Sequence, residues 1–357
     1  MKRKTLIGVL CVVLASMCYG ITPILSNAAL RGGLPADFVL RVFGEGAVSV
    51  MAADASRAMS NESVVGISMG IACVLSAAVC LIGGRRLRVS GKQTWQLLVM
   101  GGGAFAVTCL LISFAYNFIP AGMAIVLHFT YPVFVLLASL LFFRERVTPL
   151  KLCSLAAAIA GIVLMSVGSF GGSIKPIGII LALISGMTYA AYFLAGKNAS
   201  YSELDTPISN TYITGAACVV CIAAGLCGGR FSVPSDWFMW VILVLEALLG
   251  YVIGLQLLLK GVRLIGSSAA SALNTLEPAF ASITSMIVFG ETMGLLKGSG
   301  VVLVLLAALA SILALRKSGA EARFRQCPDG PRRIPSRLSW SACRICRPLR
   351  RSSSRAS

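Results

Sequence analysis

Ten stretches of the chain are apolar for long enough to cross roughly 30 Å of hydrocarbon as a helix. They fall at residues 5–27, 64–84, 94–116, 121–143, 148–168, 175–195, 208–228, 237–259, 264–289 and 294–315, with the polar and charged residues gathered between them. One further stretch, residues 36–53, is apolar from Phe38 to Met51 but is broken by Arg41 and Glu45, so it reads as an insertion and not as a span.

The pattern is written twice. Ile7-Gly8, Met17 and Tyr19 recur as Ile177-Gly178, Met187 and Tyr189, at a constant offset of 170. Ala72-Cys73-Val74 and Gly83-Gly84 recur 145 residues later as Ala217-Cys218-Val219 and Gly228-Gly229. Tyr131-Pro132, Glu145 and Leu150-Lys151 are matched at an offset of 146 by Glu277-Pro278, Glu291 and Leu296-Lys297. Each copy holds five spans, an odd number, so the second copy must enter the membrane from the opposite side. The expected fold is an all-α integral membrane protein of ten transmembrane helices, arranged as two inverted five-helix repeats at residues 5–168 and 175–315. Inverted copies can exchange between two near-equivalent conformations, one open to each side.

Charge placement orients the bundle, because flanking Lys and Arg are retained in the cytoplasm. With the N-terminus inside, the inner face receives fifteen basic residues: Lys2, Arg3, Lys4, Arg85, Arg86, Arg88, Lys92, Arg144, Arg146, Lys151, Lys197, Lys260, Arg263, Arg316 and Lys317. The outer face receives six: Arg31, Arg41, Arg57, Lys175, Arg230 and Lys297. Making residues 36–53 span would invert every later loop and destroy this bias. Ten helices with both termini in the cytoplasm of a cell membrane is therefore the expectation.

Composition removes the soluble classes. The chain is 57% hydrophobic and 12% charged, which leaves too few polar side chains to cover a globule. Nine of the twelve cysteines lie in or beside apolar segments, where Cys acts as a small hydrophobe, and the other three (Cys327, Cys343 and Cys346) sit in the tail. A single CxxC without a second pair or a His is a weak zinc signal, so no metal or cofactor is expected. Residues 318–357 change abruptly to Arg, Ser and Pro, with ten basic and two acidic residues. They read as a disordered tail, in preference to an anionic-lipid or nucleic-acid patch.

A charge in hydrocarbon is costly enough that each ionisable group within a span is a functional candidate. His128, Glu246 and Glu277 are those groups. Pro132 and Pro278 stand at equivalent positions, and each removes one helical hydrogen bond, freeing the carbonyls of His128 and Asn274. A freed carbonyl at membrane depth is tolerated beside protein or a water-filled space. Ala121, Ala124, His128 and Tyr131 lie on one helical stripe, matched by Ala270, Asn274, Glu277 and Ala281. Small residues also simply let helices pack, but two symmetry-related stripes carrying His and Glu favour a cavity wall. Tyr19 and Tyr189 are equivalent and join the cavity candidates, although tyrosine also packs and anchors. Gly66 and Gly70, and Ala157 and Gly161, are small-residue pairs that permit close helix approach. Glu145 and Glu291 stand at helix ends, where a carboxylate stabilises the next helix N-terminus or could latch a gate.

The chain contains no GxSxG, HExxH, Walker or Rossmann motif in a plausible setting, and its single histidine leaves no His-based dyad. An enzyme is not expected. Two inverted five-helix copies, with Ala124-x7-Pro132 followed by Glu145 in Phe143-Arg144-Glu145-Arg146, and Ala270-x7-Pro278 followed by Phe289-Gly290-Glu291, resemble EamA-type members of the drug/metabolite transporter superfamily. The resemblance covers roughly residues 5–315, and the insertion near residues 36–60 and the basic tail depart from it. It implies a secondary transporter of small metabolites, often an exporter of amino acids or related compounds, with a central cavity between the copies.

The function expected is alternating-access transport of a small polar or amphipathic solute, with His128 and Glu277 touching it or carrying a coupling proton. The partners expected are that solute, membrane lipid, the proton and a second copy of the chain, and not nucleic acid. A non-transporting scaffold or lipid-binding protein is the alternative and rests on the basic tail. A membrane-embedded enzyme would need a clustered acid–base or metal constellation, which the sequence lacks.

Overall fold

Hydrocarbon offers no partner to a backbone amide, so each apolar run closes its own hydrogen bonds as a helix. The computed structural model describes residues 3–143, 148–167, 174–289 and 294–325. The first copy comprises α1 (Arg3–Arg31), α2 (Asn61–Ile82), α3 (Gly91–Ala115), α4 (Ala121–His128 and Tyr131–Phe143) and α5 (Pro149–Ser166). The second comprises α6 (Pro176–Asn198), α7 (Thr206–Cys227), α8 (Trp237–Ile265), α9 (Ser267–Asn274 and Glu277–Phe289) and α10 (Leu295–Arg325). Among the described residues, nine of these helices are long and apolar enough to cross a membrane. The exception is α9, whose apolar run is diluted by Ser267, Ser268, Ser271, Asn274 and Glu277.

Helix starts follow local chemistry. Ser60, Ser90, Thr148 and Asp236 cap α2, α3, α5 and α8 by accepting from amides three residues on, and Pro149, Pro176 and Pro207 occupy first-turn positions that need no donor. The repeated Gly-Gly pairs end α2 and α7 alike. Gly84 and Gly229 have φ of 64° and 63°, a left-handed turn that glycine adopts without strain.

The packing makes the inversion explicit. α1 lies against α8 and α9 of the other copy, and α6 lies against α3 and α4, so each copy's first helix is housed by its partner. A Cβ added at Gly8 of α1 would come within 2.5 Å of Ile265, and one at the equivalent Gly178 of α6 within 2.8 Å of Ile119. Between the copies, α2 and α7 run antiparallel. A Cβ at Gly70 would sit 3.0 Å from the Cys218 Sγ, and one at Gly215 would sit 3.1 Å from the Cys73 Sγ. Each contact is the other's image at the repeat offset of 145. A near-image of it stands at the helix ends, where Arg230 pairs with Glu62 at 3.1 Å and Arg85 with Asp205 at 3.0 Å, the arginines 145 residues apart and the carboxylates 143. Gly161 of α5 meets Val304 and the Gly300 carbonyl of α10, and Ser311 donates to Ser154 at 3.1 Å one crossing further on.

Residues 32–60, the inserted connection, stay at the far face, opposite the start of α1. They form two short helices, Ala36–Phe43 and Glu45–Met51, and a 3-10 turn, Ala55–Arg57. Arg57 ties the segment down, donating to the carbonyls of Val50 and Ala52 at 2.7 Å each and pairing with Asp236 at 3.1 Å. Partial burial works against ionisation of Asp236, but the Met239 amide and the Arg57 guanidinium outweigh it and hold its carboxyl below the ordinary aspartate range. Beneath them Ala28, Ala29, Met59, Val64, Phe238 and Met239 form a satellite core. At the other end of the chain, the helical backbone of α10 runs on to Arg325, past the point where the sequence turns basic, while the compact unit ends at Leu315. Glu145, Glu291 and the rest of the tail lie outside the described residues.

Candidate functional site

The two proline-bearing helices each break where the missing hydrogen bond falls. In α4 the helix stops at His128 and restarts at Tyr131, and in α9 it stops at Asn274 and restarts at Glu277. Both breaks lie where the copies meet, and Asn274 joins them. Its Nδ2 donates to the Tyr131 hydroxyl at 3.1 Å and to Glu277 Oε2 at 3.1 Å, while its Oδ1 accepts from Ser16 of α1 at 3.2 Å. The Tyr131 hydroxyl in turn donates to the Ser271 carbonyl at 3.3 Å. Tyr131 and Asn274 are fully buried and Glu277 is half-buried. A polar network in a dry interior is tolerated when its members satisfy one another, which this one does across three helices and both copies.

An aromatic cluster surrounds the network. The Tyr131 ring lies 4.7 Å from Tyr189 and 5.3 Å from Phe193, and Tyr192 stacks parallel to Tyr189 at 6.2 Å. Phe105 reaches Tyr192 at 5.3 Å and Tyr251 at 6.3 Å, which brings in α3 and α8. His128 stacks on Tyr189 at 5.4 Å, with its Nδ1 3.0 Å from the Ser185 hydroxyl. The carbonyl that Pro132 frees faces α6 where that helix has only glycine. A Cβ at Gly186 would stand 2.9 Å from the His128 oxygen. Three buried hydroxyls, those of Tyr19, Tyr192 and Tyr201, have no hydrogen-bond partner within the described protein. Tyr19 lies one turn beyond Ser16, on the face of α1 that meets the network.

Of the residues singled out from sequence, His128, Tyr131, Pro132, Asn274, Glu277, Tyr19 and Tyr189 belong to this region. Pro132 also borders a crevice toward the face that carries the start of α1, lined by Leu136, Lys151, Ser154, Ser268 and Ser311. Pro278 is half-buried beside Glu277. Glu246 stands apart in hydrogen bonding: it accepts from Ser26 of α1 at 2.6 Å and Ser68 of α2 at 3.3 Å, and is 1% exposed. It directly precedes a wide-turn segment, Ala247–Gly254, where α8 loosens to π geometry, and α3 does the same at Val99–Ala106. The side chain of Asn210 on α7 covers the loosened Tyr251 carbonyl at 2.8 Å.

Sequence reasoning passed over Ser16, Ser185, Ser271, Tyr192 and Phe193. The serines carry no signal of their own in a chain where small polar residues are spread through the spans. Tyr192 and Phe193 could have been found, since they lie within one turn of Tyr189 on α6. Among the described residues no group of His, Cys, Asp and Glu is placed to hold a metal ion.

Comparison with known proteins agrees with this architecture. The model of the EamA-like transporter family matches residues 36–167 and 176–313, one match in each copy. An uncharacterised transporter of Archaeoglobus fulgidus is 27% identical over 162 residues, 45% of this chain and 56% of its own length. Another from Synechocystis, sll1319, is 26% identical over 221 residues, 60% of this chain and 66% of its own. The matched regions thus span less than two thirds of these two relatives. The threonine/homoserine exporter RhtA of Escherichia coli K12 is 25% identical over 233 residues, 65% of this chain and 76% of its own. A solved crystal structure superimposes with a TM-score of 0.65 at 17% identity, covering 88% of this chain and 98% of that one, a likeness of fold alone.

Proposed function

Because the chain belongs to the EamA-like transporter family, we propose that it is a secondary transporter that exports an amino acid or a related small solute across the cytoplasmic membrane by alternating access. The observation that carries this reading is the bridge from Asn274 to Tyr131, Ser16 and Glu277, a polar site at the seam between two inverted copies where both helices are broken. Solute sites in inverted-repeat transporters sit at such breaks near mid-membrane. The similarity to RhtA supports an amino-acid-like cargo.

In this reading the antiparallel α2/α7 pair is the axle, and the half-helices of α4 and α9 tilt about Phe129-Thr130 and Thr275-Leu276. Glu277 exchanges a proton as the site changes sides, since a mid-membrane carboxylate beside water is the group able to do so. His128, held by Ser185 and Tyr189, lines the same site. Both termini lie in the cytoplasm, as the charge bias requires.

The test is flux of threonine and homoserine in proteoliposomes holding the full chain, with and without a pH gradient, for the native protein and for Glu277→Gln. Gradient-dependent flux that disappears in the correctly folded variant is expected. Native flux indifferent to the gradient removes proton coupling. No flux of any amino acid or related solute, from protein that is folded by its melting curve, removes the transport reading.

A further inference from the structure

The crevice between α4, α5, α9 and α10 is polar in one copy of the repeat and not in the other. It opens toward the face that carries the start of α1 and encloses about 350 Å³ including its mouth. Leu136 and Leu155 give it an apolar wall, and Lys151, Ser154, Ser268 and Ser311 bring polar groups. Tyr131 and Asn274 do not line it, so it is separate from the network at the helix breaks.

An offset of 146 gives each of these positions a counterpart. Lys151 is matched by Lys297, whereas Ser154, Ser268 and Ser311 are matched by Gly300, Gly122 and Met165. At the counterpart the space is filled, since a Cβ at Gly300 would come within 2.6 Å of the Met165 Cγ. The three hydroxyls therefore belong to one face of the molecule, and no exchange of the two copies' conformations supplies them to the other.

Two of the serines fix the crevice and the third faces it unused. Ser311 donates to Ser154 at 3.1 Å and Ser154 to the Lys151 carbonyl at 2.9 Å, which ties the turn bearing Lys151 to α10. Ser268 is 6% exposed, and its hydroxyl has no partner among the described residues. Burying a hydroxyl that bonds to nothing is unfavourable, so a ligand that meets it is favoured. Ser268 and Ala269 are also the second and third residues of α9, whose cap residue Gly266 brings no side chain to the first-turn amides. Lys151 adds an ammonium with three donors. A cation, a hydroxyl and a helix N-terminus together select an anion with several oxygens, and a phosphate group is one.

The depth of the crevice points to a lipid as the source of that phosphate. Lys151 is the third residue of α5, and both it and Ser268 stand at the ends of their spans, where headgroups lie. In sequence, Arg144 and Arg146 closely precede α5 with Glu145 between them, and Arg316 and Lys317 directly follow Leu315. A basic setting at the end of a bundle attracts anionic lipid. We propose that the crevice holds the phosphate of an anionic phospholipid, bound by Lys151, the Ser268 hydroxyl and the first turn of α9, with Leu136 and Leu155 against its glycerol and upper acyl carbons. The site concerns the membrane and not the cargo, so it stands or falls apart from the transport reading.

Native mass spectrometry of the full chain in neutral detergent resolves bound lipids one at a time. Dioleoylphosphatidylglycerol is titrated against dioleoylphosphatidylcholine, with inorganic phosphate as a competitor. The first phosphatidylglycerol is expected to bind at least about tenfold more tightly than the first phosphatidylcholine. Lys151→Gln and Ser268→Ala are each expected to weaken it by roughly fivefold, while Lys297→Gln, at the equivalent lysine, leaves it unchanged. Equal affinity for the two lipids overturns the proposal, as does unchanged phosphatidylglycerol binding in either crevice variant or an equal loss in Lys297→Gln. Displacement of the lipid by inorganic phosphate at roughly millimolar concentration would assign the site to free phosphate and overturn the lipid occupant. Should Lys151→Gln fail to fold, Ser268→Ala decides, since it deletes a hydroxyl that no other part of the described protein uses.

Discussion

At the scale of single residues the molecule turns on Asn274. One amide holds Ser16, Tyr131 and Glu277, so its loss releases three groups on three helices. Hydrogen bonds between membrane helices average about 0.6 kcal/mol and reach about 1.7 kcal/mol. Asn274→Ala is accordingly expected to cost about 1–2 kcal/mol in a reversible unfolding titration and to abolish flux, while Ser16→Ala costs about 0.6 kcal/mol or less. Equal and negligible costs for the two would mean that the network adds nothing. Asn274, Glu277 and Tyr131 were legible in the sequence because proline marks a break in any helix and the break recurs in both copies. Ser16, which completes the bridge, was not legible: nothing in a lone serine on α1 says which helix will pass beside it.

At the scale of elements, close crossings and end latches hold the two copies in register. Gly70 and Gly215 meet cysteines related by the repeat, so Gly70→Leu and Gly215→Leu should overpack one interface from its two sides, each costing about 1–3 kcal/mol by thermal melting. A neutral outcome for one alone would show that the α2/α7 contact is not symmetric in solution. The two ion pairs differ in environment. Arg85–Asp205 has side chains 41% and 60% exposed, whereas Glu62 is 7% exposed beneath Arg230. Arg85→Ala should therefore be nearly silent, and Arg230→Ala should cost about 1–3 kcal/mol by leaving a buried carboxylate alone. Asp236 adds a pH dependence. Its folded pKa lies below that of the unfolded chain, so its contribution is present in full above about pH 4 and is lost as pH falls through the folded value. Amide protection across residues 32–60, taken relative to the intrinsic exchange rate at each pH, should fall only in that acid range, and a loss of protection already near neutrality would contradict the assignment. The spans themselves were readable from apolar length. The π segments were not, because a wide turn depends on which neighbour meets the helix there.

For the whole molecule, the proposed orientation rests on charge and the proposed transport on the two inverted copies. Cys227 ends α7 at the far face and is exposed. A variant keeping only that cysteine should react with a membrane-impermeant maleimide in intact cells, and labelling only after permeabilisation would reverse the topology. Deleting residues 326–357 should leave flux intact, whereas loss of all function with an intact bundle would favour a scaffold. The sequence by itself determined the ten spans, the duplication and the inversion, because hydrocarbon thickness and charge retention act on each segment without regard to its neighbours. It also located the helix breaks, since proline lacks its amide proton in any surroundings. Tertiary structure alone decided that Asn274 spans both copies, that Tyr189, Tyr192 and Phe193 close around Tyr131, and that Glu246 is satisfied by serines away from that network. Those outcomes depend on which helix faces which, and lipid-like side chains permit many pairings. The choice among them is made by a few glycines and by polar groups that can be satisfied in one arrangement.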